Sequence, residues 1–205
     1  MISMVNSVLH IYESILSQEE LPDFYEENLE QISQVCFFIL DTDYPQLSSA
    51  PDYEMLFKAR AKVVRLVHLY QFKFVEYFES KQNEFFNKIW EQISQNKITA
   101  ARECERLIFA IVRYLGECAA LPIYRDIIKG NLQNLFQVLI LPNIAITDQD
   151  LEDYELEPQQ YIKNDLEESD AETRRRHCMK FVSKLSSYFE EDVGNLIGML
   201  IQTLQ

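Results

Sequence analysis

The chain has 205 residues, 47% of them apolar and 12% aromatic, which excludes an intrinsically disordered polymer and provides for one or two ordinary domains. Four glycines and six prolines are too few for the tight turns of a β-sandwich, a barrel or a phosphate-cradling α/β sheet, so an all-α chain remains. A net charge of −14 excludes a general nucleic-acid binder and an anionic-membrane binder, which both need a basic face, and favours basic partners instead.

The N-terminus, Met1-Ile2-Ser3-Met4-Val5, has no basic n-region, and no apolar run approaches the ~18 residues that span a bilayer. The sequence therefore reads as soluble and not secreted. Val5, Leu9, Tyr12 and Leu16 form the first helical stripe, in a helix over 1–17. Helices are expected next over 22–40, 53–79, 81–95, 99–118, 123–141, 170–188 and 190–204. Leu56, Val63, Val67, Tyr70, Phe74 and Tyr77 line the long third one. Pro22 and Pro122 fit first turns, where the missing N–H costs little. Ser169 and Glu172 make an S-x-x-E capping box ahead of Cys178, Val182 and Leu185.

Taken in order, these helices pair into four hairpins. The second and third begin about 46 residues apart, close to the ~40–47-residue period of HEAT and armadillo repeats, in which each unit buries its apolar face only against its neighbours. The expected architecture is an all-α, HEAT/armadillo-like α-solenoid: three helix pairs over 1–142, an acidic insert over 143–169, and a fourth pair over 170–205. Leu196, Ile197, Leu200, Ile201 and Leu204 leave an uncovered stripe on the last helix. The chain is accordingly expected to be a piece of a longer solenoid, with dimerisation through the end helices as the alternative.

Charge follows the same divisions. Residues 1–57 hold eleven carboxylates and no Lys or Arg; residues 58–142 carry +5, residues 143–173 carry −10 and residues 174–205 carry +2. Two acidic stretches flanking a basic middle suit a surface that grips more than one partner, or they are simply solvated helix faces.

Reaction chemistry has little foothold. Cys36, Cys104, Cys118 and Cys178 form no C-x-x-C and sit on apolar stripes, so they read as reduced core residues. His10, His68 and His177 lack metal-site spacing, and no nucleophile elbow, dinucleotide fingerprint or P-loop occurs. His177 and Cys178, adjacent on a helix, point about 100° apart and cannot readily share a proton. Glu19-Glu20, Glu26-Glu27, Glu167-Glu168 and Glu190-Glu191 lie in polar stretches without the burial that tunes a catalytic carboxyl. No catalytic, metal or cofactor site is expected, and the chain does not read as an enzyme. Trp90 shares a core stripe with Phe86 and Ile93, and Gly194 with Gly198 reads as close helix packing. Arg174, Arg175 and Arg176 have two readings. One pairs Asp170 with Arg174 and Glu172 with Arg176 at i, i+4. The other fixes the acidic insert at the loop-to-helix junction by charge-assisted hydrogen bonds.

The run Leu141-Pro142-Asn143-Ile144, then Asp150, then Tyr161-Ile162-Lys163-Asn164-Asp165-Leu166-Glu167-Glu168-Ser169-Asp170-Ala171-Glu172-Thr173-Arg174-Arg175-Arg176 resembles the importin-α re-exporter family, the cellular apoptosis susceptibility exportins. In that family an LPN-like turn, an acidic insert and a segment close to PxEYIRRDLEGSDxDTRRR follow in this order. Leu21 to Leu29 resembles the family's acidic helix start, and Trp90 falls where a tryptophan is expected. The likeness covers nearly the whole chain and about a central fifth of a family member. Lys163 and Asn164 replace the family's two arginines, Glu168 its glycine and Gln160 its glutamate.

The resemblance implies a karyopherin of nucleus and cytoplasm that carries importin-α out of the nucleus with Ran-GTP, with nucleoporins as further partners and neither nucleic acid nor membrane among them. By position it also implies that Asp165, Glu167, Asp170 and Arg174 to Arg176 contact partners, with Tyr161 and Ile162 anchoring the insert. Another importin-β-superfamily import receptor and a non-transport HEAT scaffold remain as alternatives.

Overall fold

In a computed structural model of the chain, residues 2–42, 50–95, 102–166 and 173–203 are described. Among them there is no β-strand, and no single helix is long and apolar enough to cross a membrane. The chain forms two compact units, Met1–Tyr114 and Leu115–Gln205.

The first unit contains α1 (Ile2–Leu16), α2 (Asp23–Glu27), α3 (Leu29–Asp41), α4 (Ala50–Lys73), α5 (Val75–Phe78), α6 (Gln82–Ser94) and the first part of α7 (Glu105–Cys118). The expected helices 22–40 and 53–79 are each divided. Asn28, with φ −107° and ψ 17°, separates α2 from α3, and Phe74, with φ −126° and ψ 43°, separates α4 from α5. The Asn28 side chain hydrogen-bonds back to the Phe24 carbonyl at 2.9 Å, a local bond that competes with helix continuation. Pro22 lies just outside α2 as its N-cap rather than within its first turn. A short 3₁₀ turn, Arg102–Cys104, precedes α7, so among the described residues of the helix expected over 99–118 the α-helical ones are Glu105–Cys118.

Helix α4 is the spine of this unit. Its stripe of Leu56, Val63, Val67 and Tyr70 is buried, continued by Phe74 beyond its end, and packs on α1, α3, α6 and the 3₁₀ turn. Phe86, 1% exposed, stacks with Trp90 at a centroid distance of 5.8 Å, in keeping with the stripe read from the sequence. Ile108 and Ile111 of α7 are fully buried. The Tyr114 hydroxyl donates to Gln71 Oε1 at 2.6 Å, joining α7 to α4 inside the core.

The polar connections of this unit run from the basic block back to the acidic one. Arg65 bonds Glu13 at 2.5 Å, Lys81 bonds Glu30 at 2.6 Å and Lys88 bonds Asp41 at 2.8 Å. Two further cations close helix ends, where the last carbonyls have no partner of their own. Lys73 donates to the carbonyls of Leu16, Ser17 and Gln18 past α1. Arg60, 3% exposed, donates to Ile39 at 3.2 Å and Thr42 at 3.1 Å past α3. A cation at a helix C-terminus also meets the negative end of the helix dipole.

The second unit continues from Leu115 through α8 (Pro122–Gly130), α9 (Leu132–Asn134), a π-helical stretch (Leu135–Ile140), α10 (Leu141–Ile144), α11 (Asp148–Leu156), α12 (Pro158–Leu166), α13 (Arg174–Tyr188) and α14 (Glu190–Thr203). Pro122 opens α8 as expected. The helix expected over 123–141 breaks at Asn131, then runs on past Pro142 to Ile144. Proline inside a helix removes one N–H and crowds the carbonyl four residues back. The widened π turn directly before it, in which Leu141 N–H reaches the Phe136 carbonyl, relieves that crowding.

Helix α13 starts at Arg174 with Thr173 as N-cap, its hydroxyl accepting from Arg176 N–H at 3.2 Å. The start expected near Ser169 is thereby moved, and the Ser169-x-x-Glu172 box lies outside the described residues. Gly116 sits where a Cβ would come within 3.1 Å of the Lys184 stem, and Lys184 goes on to pair with Glu117. All four cysteines are buried, and none is joined in a disulfide. Burial pushes the Cys36 and Cys178 thiols up to about 12, which suits the packing role read from their stripes. Ile197 and Ile201 of the last stripe are exposed at 36% and 54%.

Ile89 is 0% exposed at the centre of the first unit, and Ile89→Ala is expected to cost about 2–5 kcal/mol in denaturant unfolding. A loss below about 1 kcal/mol contradicts the packing described.

Candidate functional site

The segment expected to be an acidic insert is itself helical. The turn after α10 leads to Thr147, which caps α11 through a capping box: its hydroxyl accepts from Asp150 N–H at 3.3 Å while Asp150 Oδ2 accepts from Thr147 N–H at 2.7 Å. Asp150 in the third position does the work more often done by Glu or Gln. Helices α11 and α12 pack on each other as a hairpin, with Tyr154 edge-on to Tyr161 at 5.8 Å.

Every residue from 151 to 160 is exposed. Helix α11 has no buried residue, and Glu152, Asp153, Glu155 and Glu157 share its surface with Leu151, Tyr154 and Leu156, exposed at 52%, 46% and 79%. An apolar core does not hold this hairpin in place.

A polar knot does. Arg175 donates from Nε to the Ile144 carbonyl at 3.0 Å, from Nη1 to the Tyr161 hydroxyl at 3.0 Å, and lies 3.4 Å from Asp150 Oδ2. One guanidinium thus reaches the last carbonyl of α10, the first turn of α11 and the middle of α12, using the donor fork that suits arginine to several partners at once. Arg174 adds a second contact to Asp150 Oδ2 at 3.3 Å. The Asp150, Arg174 and Arg175 side chains are only 17%, 13% and 16% exposed. Burial alone would raise the Asp150 carboxyl; the Thr147 hydrogen bonds, then Arg175 and Arg174, outweigh it and bring the pKa below its ordinary value.

Of the residues singled out from sequence, Tyr161, Arg174 and Arg175 come together here. The Arg176 side chain is half-buried, and its backbone N–H serves the Thr173 cap. Ile162 is 40% exposed on α12, so it leaves much of its apolar surface in solvent rather than packed as an anchor. Asp165 belongs to the last turn of α12, while Glu167 and Asp170 lie outside the described residues. Asp170 and Glu172, the partners of the i, i+4 reading, lie outside the described residues; Arg174 also has a partner 24 residues earlier in the chain. Sequence reasoning quoted Asp150 but gave it no role; the Thr147-x-x-Asp150 spacing was the available signal.

The family model described as Cse1 matches residues 1–205. The importin alpha re-exporter of Saccharomyces cerevisiae is 28% identical over 87% of this chain and 19% of its own length. Exportin-2 of Drosophila melanogaster is 29% identical over 92% of this chain and 20% of its own. A solved structure titled "The exportin Cse1 in its cargo-free, cytoplasmic state" superposes with a TM-score of 0.87 at 26% identity, over 98% of this chain and 22% of that one. The fold is therefore the HEAT-repeat solenoid class expected from the helix spacing. The chain spans about a fifth of the length of the relatives it matches.

Arg175→Ala removes the contacts to Ile144, Tyr161 and Asp150 that Arg175 makes, leaving Arg174 on Asp150, and is expected to cost about 2–4 kcal/mol. Hydrogen exchange should rise across 148–162 before it rises in α13; uniform protection in the variant speaks against the knot. Because the Asp150 pKa lies below its ordinary 3.8, the stability it contributes is complete well above that value and is lost as pH falls through the lowered one. Asp150→Asn should therefore lag wild type in unfolding free energy near about pH 6 and converge with it near about pH 2. A gap that does not change with pH contradicts this.

Proposed function

The chain belongs to the Cse1 family, and from that premise we propose that it forms part of a nuclear transport receptor that returns importin-α from the nucleus to the cytoplasm in a complex with Ran-GTP. The printed names of the relatives, importin alpha re-exporter and Exportin-2, and the match over all 205 residues support this reading. The receptor moves between the two compartments and works by binding, without covalent chemistry of its own.

The observation that carries the reading to particular residues is the exposed acidic hairpin held by Arg175. Its carboxylates and open apolar side chains make a surface suited to a partner presenting both basic and apolar groups. Asp165, Glu167 and Asp170 extend the same negative stretch, while Tyr161 with Arg174, Arg175 and Arg176 set its base. Ile162, with much of its surface open, belongs to the contact surface in this reading. An acidic wall also speeds encounter with a basic partner, by an effect that fades as salt rises.

The test is a chimera in which this chain replaces the matching stretch of the Saccharomyces cerevisiae protein. With GTP-locked Ran it should capture importin-α. Asp165→Lys combined with Glu167→Lys should lower that capture about tenfold while leaving helix content unchanged. Full capture by the double variant removes the hairpin from the mechanism, and failure of the parent chimera to load cargo argues against the receptor assignment itself.

A further inference from the structure

The first unit carries a second charged feature, of the opposite sign. Asn6, Met55, Lys58, Lys62, Arg65 and Arg106 line a cavity of about 300 Å³ formed by α1, α4 and the first turn of α7. Four cationic side chains converge here in a chain whose net charge is −14.

Two of the four are already balanced. Lys58 pairs with Glu54 at 2.5 Å and Arg65 with Glu13 at 2.5 Å. Lys62 spends a donor on the Asn6 carbonyl, a neutral group, at 2.5 Å, and Arg106 is exposed. Neither has an ion-pair partner among the described residues. The charges acting on Lys62 are one carboxylate, Glu13, against Arg65, Arg106 and Lys58; burial first, and these like charges after it, hold its pKa below the ordinary value. The cavity therefore has an excess of two positive charges.

Asn6 Nδ2 donates to the carbonyls of Met55 at 2.9 Å and Ile2 at 3.3 Å, which fixes the carboxamide in the wall of the cavity. A ligand that matches the site brings two negative charges. The volume equals about ten water molecules at ~30 Å³ each, which is far more than a single phosphate fills and suits two side chains with the backbone between them.

We propose that this cavity binds an acidic peptide segment of a protein partner, with carboxylates on Lys62 and Arg106. The ligand differs in sign from the basic surface that the α11–α12 hairpin attracts, so this site adds a contact that the transport reading does not require.

Fluorescence anisotropy of the 205-residue chain tests it, using a labelled octapeptide in which glutamate and aspartate alternate with glycine. The acidic peptide should bind, and its glutamine and asparagine counterpart should not. Lys62→Gln and Arg106→Gln should each weaken binding about five- to tenfold, whereas Lys180→Gln on α13 should leave it unchanged. Arg106 is exposed and unpaired, so its replacement keeps the test valid if Lys62→Gln disturbs the fold, with circular dichroism as the check. Unaltered affinity in Arg106→Gln overturns the proposal. So does absence of binding to the wild-type chain, or displacement of the peptide by inorganic phosphate as effectively as by unlabelled peptide at the same ionic strength.

Discussion

The recurring constraint in this structure is the open carbonyl end of a helix, and the recurring answer is a cation sent back from a later helix. Lys73 closes α1, Arg60 closes α3 and Arg175 closes α10. A chain built almost wholly from short helices has many such ends, and each buried one needs a donor. With four glycines in 205 residues, the usual glycine C-cap is scarcely available, so long basic side chains take over. It accords with the segregation of charge along the sequence: residues 1–57 have no basic residue, and the ends of α1 and α3 and the carboxylates of Glu13, Glu30, Asp41 and Glu54 are met by residues 58–88. The device also joins neighbours in a way that apolar packing alone does not, since a guanidinium or ammonium has to reach a particular carbonyl.

The same logic separates the hairpin of α11 and α12 from the rest. Elsewhere cations supplement a packed core; here Arg175 stands in for one, because nothing in α11 is buried. An element held mainly by two hydrogen bonds and an ion pair of Arg175, with Arg174 beside it, has few buried apolar contacts, which marks the low-stability segments that binding elements are drawn from. The carboxylates of Glu152, Asp153, Glu155 and Glu157 lie in solvent, while Asp150, largely taken out of water, is matched by two arginines and the Thr147 cap. That arrangement avoids the cost of an uncompensated buried charge.

Much of this was legible in the residues, and the illegible parts have physical reasons. Period-3.6 stripes placed the helices because burial on one face is what a solenoid repeat requires; Leu9, Val63, Ile108 and Leu185 all lie in the core. The breaks at Asn28 and Phe74 were silent, since an asparagine is tolerated within helices and Phe74 keeps the apolar period through the break. The arginine triplet was recognised, but its contact with Asp150 was not, because ion pairs between residues 24 positions apart leave no periodic trace. Ser169-x-x-Glu172 and Thr173 are competing start signals four residues apart, and only three-dimensional context, with Arg174 and Arg175 turned to Asp150, favours the second. The hairpin itself escaped notice because its helices are polar on most faces, and helical pattern reading depends on a buried stripe.

Charge of both signs on one chain raises the question of how a cavity with two excess positive charges can be found by an acidic ligand when the molecule as a whole is at −14. Screening decides it. At physiological ionic strength the field of a solvent-exposed charge is largely lost beyond about 8 Å, so the distant carboxylates that make up the net charge weigh little at the cavity and local charge governs the contact. An acidic segment carried on a partner already drawn in by its basic surface arrives within that range. Linked contacts of this kind gain from effective concentration, so the cavity need bind only weakly to discriminate between partners that bring the segment and partners that do not.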